Sequence, residues 1–522
     1  MIVLVGFMGA GKTTVGRSLA RLLRHPFVDT DAEIERRAGV SVAEIFSRWG
    51  EGSFRELERQ VVAETLVGQT GIVALGGGAL GDPATRSLLA SISTAQVIHL
   101  DVPLDEALER VGGDPSRPLL AGTDVAGLYA DRRRLYEDVA STSVTTAHRA
   151  PEDIAVEIAR IAGEIVPHRI SVAAAGGSYD VVVGPGLASS TSQFVPGLDA
   201  AEQVFVITDA NLRREANAVG APLEKGIPCR ILEVPAGEAA KTLEWAARLY
   251  DALAESAAHR HDLVVAVGGG AVTDVAGFVA STFNRGMSVA YVPTSLTAQA
   301  DASIGGKTGI NLPQGKNLVG TFHHPSVVVC DVALLRSLPV EEMRAGLAEV
   351  IKHGFIAEPD LIQVVQKEAT AILDRDAALL TEVVGRSARI KAGIVSADER
   401  EHGVRALLNY GHTFAHAIEQ LANFSMRHGE AVAIGMMAAA HLGHALGRLD
   451  DDAVELHRSA LSAVGLPVTA SLDFDALEGA WLRDKKYRSG ARFVLLAEVG
   501  RAEAGIHAPR EAIAEALERL KT

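Results

Sequence analysis

Over the first third of the chain, short apolar runs alternate with amphipathic stretches. Ile2–Val5, Ile72–Leu75 and Val97–Leu100 are short, mostly apolar runs and read as strands buried on both faces. Between them, Thr14–Leu23 and Arg55–Leu66 repeat their apolar residues at helical spacing. Strand–helix alternation predicts an α/β domain built on a parallel sheet. The pattern ends on an amphipathic helix, Pro151–Ala162, and Gly163–Ala175, with Pro167 and a run of small residues, reads as a linker. A second alternation follows, with Val181–Val183, Val204–Thr208, Arg230–Val234, Leu263–Val267 and Val289–Val292 as its strands. From about Leu334 onward alanine is abundant and apolar residues recur at helical spacing, which predicts a helical region to the C-terminus; Arg492–Val499 is a candidate late hairpin strand. The predicted domains are thus an α/β unit over 1–162, a linker over 163–175, an α/β unit over 176–333 and an all-helical unit over 334–522.

Composition narrows the class. A chain of 522 residues exceeds what one hydrophobic core supports. With 48% hydrophobic and 22% charged residues, and 51 Gly and 19 Pro, it is neither collagen-like nor broadly disordered. The net charge of −15 disfavours non-specific nucleic-acid binding. Two cysteines, Cys229 and Cys330, make no disulfide framework and point to a reducing cytosol. Met1–Val5 lacks a preceding basic region, and Ala431–Gly447 carries His441 and His444, so neither a targeting segment nor a membrane span is expected.

The first chemistry-bearing motif is Gly6-Phe-Met-Gly9-Ala10-Gly11-Lys12-Thr13-Thr14. It matches the phosphate-binding loop G-x-x-x-x-G-K-[ST] in its required context, after a strand and opening a helix. Backbone N–H groups cradle phosphates, Lys12 neutralises the β/γ-phosphates, and Thr13 ligates Mg²⁺. The acceptor is read from other segments. Asp29 and Asp31 stand at a strand end, Arg55 starts a helix, and Gly76-Gly77-Gly78 follows the next strand. Arg117-Pro-Leu-Leu lies in a Gly/Pro/Asp-rich loop, and Arg132 precedes Tyr136 by one helical turn. Together they suit a small, polyhydroxylated, anionic acceptor gripped by arginine forks, with Asp31 holding and activating a hydroxyl.

In order and spacing, residues 1 to about 160 resemble a complete shikimate kinase. The resemblance implies ATP and Mg²⁺ handled by Gly9–Thr14, with Asp29 supporting the metal through water. It implies shikimate bound by Asp31, Arg55, Gly77, Gly78 and Arg132, Arg110 near the adenine, and Arg117 as a lid arginine over the transferring phosphate. Gluconate-type kinases are a looser match, and a regulatory nucleotide-binding module is a third reading.

In the second α/β unit, a strand runs into Gly268-Gly269-Gly270, then Asp274. Strand, glycine turn and helix outline a dinucleotide phosphate site, without the G-x-G-x-x-G spacing. Asp209 and Asn211 at a strand end, and Glu238 and Lys241 at a helix start, are candidate partners. The long polar stretch from Thr294-Ser295 through Asp301, Lys307 and Asn311 to Lys316-Asn317 has the character of a functional loop. Its lysines, with Arg285, suit a phosphorylated, carboxylated substrate. Glu349 and Lys352 share a helix face, as do Asn409, His412 and His416, and His428 opens the next helix. One carboxylate with two imidazoles makes a catalytic zinc set, and Lys352, Lys391 and Asn409 stand beside these candidates.

Residues from about 169 to 522 resemble 3-dehydroquinate synthase along nearly their whole length. The matching segments are Gly268–Gly270, Asp301–Asn311, Lys316-Asn317, Ala348–Lys352, Leu408–His416, His428-Gly-Glu and Asp484-Lys485-Lys486. The resemblance implies Zn²⁺ or Co²⁺ on Glu349, His412 and His428. It implies NAD on Asp209, Asn211, Glu238, Lys241, Gly268–Gly270, Asp274, Thr294, Ser295, Lys307 and Lys316. Substrate contacts would come from Asp301, Lys307, Asn317, Lys352, Lys391, Arg405, Asn409, His416, and Lys485 or Lys486. Arg285 would reach across from the neighbouring subunit of a homodimer. Ser295 and Ala302 depart from the commoner family text. A metal-dependent polyol dehydrogenase and a different sugar-phosphate cyclase are the alternatives. The two motif sets together imply a fusion of two enzymes of the shikimate pathway to chorismate and the aromatic amino acids.

Overall fold

The computed structural model describes residues 1–522 except 24, 69–70, 112–123, 165–166, 222, 224–225, 423–424 and 483–490. The chain divides into two compact units, Met1–Val166 and Pro167–Thr522.

The first unit runs β1 (Ile2–Val5), α1 (Lys12–Leu23), β2 (Phe27–Asp29), α2 (Thr30–Ala38), α3 (Val42–Gly68), β3 (Ile72–Ala74) and α4 (Pro83–Ser91). It continues through β4 (Gln96–Asp101), α5 (Leu104–Val111), α6 (Val125–Val139), β5 (Thr142–Thr145) and α7 (Pro151–Ile161). The sheet order is β2-β3-β1-β4-β5, and every pairing is parallel. The wholly apolar β1 is central and buried along its length, as a strand covered on both faces requires. Its carboxyl end therefore opens where a parallel sheet places its ligand site.

The second unit begins with β6 (His168–Ala174), β7 (Gly177–Gly184), β8 (Val204–Asp209), α8 (Arg213–Gly220), β9 (Cys229–Val234) and α9 (Leu243–Glu255). Next come β10 (Leu263–Gly268), α10 (Gly270–Thr282), β11 (Ser288–Pro293), β12 (Lys307–Leu312), β13 (Gly315–Phe322) and β14 (Val327–Asp331). The helical half comprises α11 (Val340–Ala357), α12 (Pro359–Lys367), α13 (Ala369–Leu373), α14 (Ala377–Ala397), α15 (His412–Leu421), α16 (His428–Ala445), α17 (Asp451–Ala463) and α18 (Phe474–Leu482). It closes with β15 (Arg492–Glu498), β16 (Arg501–His507) and α19 (Arg510–Arg519). The main sheet runs β6-β7-β14-β11-β10-β8-β9; only β6 pairs antiparallel.

Two differences from the sequence reading have physical causes. Residues 168–174, placed in the linker, form the edge strand β6, which buries only Ile170 and Val172; so few apolar positions beside Pro167 look like coil. The loop expected around Asp301–Lys316 contains a hairpin, β12–β13, pairing Lys307 with Phe322; its glycines and polar residues disguise it. The buried strand β14 was not predicted. Among the described residues the C-terminal half is helical apart from the β15–β16 hairpin, whose first strand coincides with the candidate at Arg492–Val499. Among the described residues no helix is long and apolar enough to cross a membrane.

Candidate active sites

In the first unit, the chain leaves β1 through Gly6 and Gly9 at φ 154 and 79. A Cβ there would lie 2.6 Å from the Leu100 carbonyl oxygen and 2.4 Å from that of Ala107, so only glycine lets the loop lie this close to its support. Lys12 opens α1 and folds back, its Nζ donating to the carbonyls of Gly6 (2.8 Å) and Phe7 (3.2 Å). The Thr13 hydroxyl donates to Asp29 Oδ2 at 2.5 Å. The other Asp29 oxygen caps α2, accepting from the N–H of Asp31 at 3.0 Å. Thr13 and Asp29 thus form one preset pair beside the phosphate loop.

Arg55 Nη1 donates to Glu58 Oε2 at 2.6 Å. A Cβ on Gly78 would meet that same Nη1 at 2.4 Å, so the glycine run makes room for the guanidinium. Burial pushes the Glu58 carboxyl up, against the opposing pull of Arg55. Tyr136 donates to the Gly77 carbonyl at 2.6 Å and fixes the glycine strip from behind. Arg110 props the phosphate loop, donating to Gly9 (3.3 Å) and to the Thr146 carbonyl (2.7 Å). A cleft of about 740 Å³ brings together Lys12, Thr13, Asp31, Arg55, Arg110 and Arg132. Gly9, Ala10, Gly11, Thr14, Asp29, Gly77 and Gly78 also line it. Arg117 lies outside the described residues. Glu58 was not singled out from sequence; its spacing of three from Arg55 was the available signal.

In the second unit, the candidate dinucleotide residues gather at the carboxyl ends of β8, β10 and β11. Asp209 caps the turn after β8, accepting from Asn211 N–H at 2.9 Å. Gly269 is the N-cap of α10, and Gly268 accepts from Thr294 N–H at 3.0 Å. A Cβ on Gly269 would sit 3.5 Å from the Ser295 hydroxyl. Buried Lys241 donates to both Asp274 Oδ2 and Asn317 Oδ1 at 2.6 Å. Asn311 donates to Glu238 Oε2 at 2.6 Å and accepts from Asn317 N–H at 2.9 Å. The hairpin is thereby stitched to the dinucleotide end of the sheet.

On the helical side, Glu349, His412 and His428 present ligand atoms within 4.8 Å of one another. Glu349 Oε1 is 3.5 Å from His412 Nε2 and 3.2 Å from His428 Nε2. Burial opposes ionisation of Glu349, but Lys352, His412 and His428 outweigh it and hold the carboxyl well below its usual range. His416 presents its ring edge-on to His412, centroids 5.5 Å apart. Lys352 pairs with Glu349 and lies 3.8 Å from Asp301; Lys391 pairs with Asp301 at 2.8 Å. Burial likewise opposes charge on Asp301, yet Lys391 and Lys352 keep it ionised well below its usual range. Arg405 is 2% exposed and donates to the carbonyls of Gly305 and Glu399. Asn409 donates to Glu401 Oε1 at 2.8 Å, and Lys307 pairs with the other Glu401 oxygen at 2.5 Å. Lys316 reaches buried Glu419 at 3.4 Å. Glu401 and Glu419 were not singled out from sequence. Arg285 sits exposed in the turn after α10, and Lys485 and Lys486 lie outside the described residues.

The donor set fits a divalent metal: one carboxylate and two imidazoles converge, and each imidazole turns Nε2 inward. A phosphate-loop transferase unit is thus followed by a unit pairing a dinucleotide-type strand–glycine turn with a catalytic-type metal triad. Residues 8–162 match the family model for shikimate kinase, 231–345 that for the 3-dehydroquinate synthase N-terminal domain and 346–487 that for its C-terminal domain. The 3-dehydroquinate synthase of Mycolicibacterium gilvum (strain PYR-GCK) is 44% identical over 331 residues, covering 62% of this chain and 91% of its own. A solved 2-epi-5-epi-valiolone synthase from Streptomyces hygroscopicus subsp. jinggangensis 5008, with NAD⁺ and Zn²⁺ bound, is 28% identical with a TM-score of 0.61, covering 67% of this chain and 98% of its own. A 2-deoxy-scyllo-inosose synthase complexed with carbaglucose-6-phosphate, NAD⁺ and Co²⁺ is 25% identical with a TM-score of 0.59, covering 67% and 99%. The chain belongs to the 3-dehydroquinate synthase family and carries a shikimate kinase domain ahead of it. It is an enzyme of two activities, shikimate kinase and 3-dehydroquinate synthase, using ATP with Mg²⁺ in the first and NAD with Zn²⁺ or Co²⁺ in the second.

Proposed function

We propose the following assignment of the two reactions to residues. In the kinase, Lys12 leaves the Gly6 and Phe7 carbonyls to neutralise the phosphoryl oxygens, while Thr13 and Asp29 hold Mg²⁺, Asp29 through water. Asp31 accepts the proton of the attacking shikimate hydroxyl, and Arg55 and Arg132 clamp the carboxylate. The domain spans 1–162, a linker joins it, and the synthase α/β and helical parts divide near residue 334.

In the synthase, Glu349, His412 and His428 hold the metal and the Asp209-to-Ser295 face holds NAD. When bound, these two supply Lewis acidity and a reversible hydride acceptor. Lys307, Asn317, Lys352 and His416 hold the phosphate of 3-deoxy-D-arabino-heptulosonate 7-phosphate. Lys391, Arg405 and Asn409 position its carboxylate and hydroxyls, and Glu401 orients Asn409 and Lys307. The protein is a cytoplasmic homodimer joined through the synthase half, with Arg285 reaching the partner's site. Its two cysteines form no disulfide and Arg285 is exposed, which supports that reading.

The observation that carries the proposal is the metal triad flanked by Lys352, Asp301 and Lys391; a neutral polyol would need no such charge. Two assays on one preparation test it: phosphate release from the heptulosonate phosphate with NAD and Zn²⁺, and ADP formation with shikimate. Lys12→Met should lower only the second, by roughly 10²–10³-fold, and Glu349→Gln only the first. Loss of both activities in either variant would refute the assignment.

A further inference from the structure

α15 carries a third polar residue on the face of His412 and His416. Glu419 follows them at positions seven and three on, the spacing that returns to one side of a helix. It is only 5% exposed, so its charge must be matched inside the protein. Both of its oxygens are spent on site residues. Oε2 lies 3.4 Å from His428 Nδ1 and Oε1 lies 3.4 Å from Lys316 Nζ. His428 is held from both ends, because its Nε2 faces Glu349 Oε1 at 3.2 Å.

We propose that Glu419 is a positioning residue of the synthase: it locks His428 in the tautomer that presents Nε2 to the metal, and it tethers the β12–β13 hairpin to that ligand through Lys316. The chemistry is directional. An ionised carboxylate only accepts, so the ring nitrogen facing Glu419 keeps its hydrogen, and Nε2, at the point where Glu349 and His412 converge, is the nitrogen that gives up its proton to a bound metal. His412 is set in the same way by a different group, its Nδ1 lying 3.1 Å from the Tyr410 carbonyl. The two imidazoles therefore have unequal supports, one a neutral backbone oxygen and one a charged side chain. The charged support raises ligand basicity as well as fixing orientation. Through Lys316 the same carboxylate reaches the strand pair that Asn311 and Asn317 stitch to the dinucleotide end of the sheet. Metal site and hairpin thus share one buried group.

The inference rests on Glu349, His412 and His428 being the metal ligands, so the test carries its own control. Metal-stripped full-length protein is titrated with Co²⁺ against a competing chelator, without substrate, and its d–d absorption is recorded. Glu419→Gln should weaken Co²⁺ by about 10- to 100-fold and shift the d–d band, while the melting temperature of the metal-free protein stays near wild type. NAD affinity, read by fluorescence titration, should fall in Glu419→Gln and in Lys316→Met, with the double variant no weaker than the worse single one. Wild-type Co²⁺ affinity and spectrum in both Glu419→Gln and Glu419→Ala would overturn the role of Glu419. Co²⁺ binding that survives Glu349→Gln would overturn the ligand assignment itself, and the inference with it.

Discussion

Lys391 is a lysine whose environment sets a working pH. Burial pushes its ammonium down to about 8, although Asp301 at 2.8 Å pulls the other way. Below that pH it is a cation able to meet a carboxylate; above it the charge is lost. The synthase KM for its anionic substrate should therefore rise about tenfold per pH unit above 8, and kinetics in Lys391→Met should lose that inflection. The sign for stability runs the other way: the folded value lies below the unfolded one of ~10.4, so this lysine destabilises the fold at neutral pH and the cost fades as pH climbs between the two. Lys352, Asp301 and the histidines that converge with Glu349 were legible in the sequence because polar groups stood among glycines or apolar helix residues. Glu58, Glu401 and Glu419 were not. A glutamate on a helix, as Glu58 and Glu419 are, looks the same in sequence whether it faces water or a buried partner, and Glu401 stands in a bend among charged residues that read as a solvated loop.

At the level of elements, the metal triad depends on how closely three helices approach. A Cβ on Gly429, the residue after His428, would fall 2.2 Å from the Ala345 carbonyl oxygen, one turn before Glu349. That contact brings α16 onto α11 and carries His428 toward Glu349. Gly429→Ala should force the helices apart at a cost of about 1–3 kcal/mol. A lower melting temperature together with weakened metal binding by chelator competition is expected; unchanged values would remove the contact from the account. The sequence predicted most central strands, since Ile2–Val5 and Leu263–Val267 are apolar on both faces. It missed β6 and the β12–β13 hairpin because an edge strand or a glycine-rich, polar hairpin has little apolar surface to bury; that reason does not cover the buried, apolar β14. Propensity is silent where the packing partner is solvent.

At the scale of the molecule, two units each enclose a core of their own, one on the five-stranded sheet and one on the seven-stranded sheet. Cutting the chain between residues 162 and 168 should yield two fragments, each with its own activity and its own melting transition. Two inactive fragments would show that the units depend on each other. The residue order of both motif sets made this division readable from sequence, whereas the net charge of −15 concealed it, being an average over surfaces that say nothing of the clefts.

The lysines of the synthase site come with partners: Lys352 with Glu349, Lys391 with Asp301, Lys307 with Glu401 and Lys316 with Glu419. An arriving anion therefore meets no bare ammonium among these four. It can use an N–H that the pair leaves open, an ammonium having three, or it can replace the carboxylate, which must then find a new donor. Chloride brings charge and little else to that exchange. A polyhydroxylated acid brings charge together with hydroxyl protons for the acids it displaces. The pairing should therefore favour a solute that answers both signs at once, with chloride competing weakly against it.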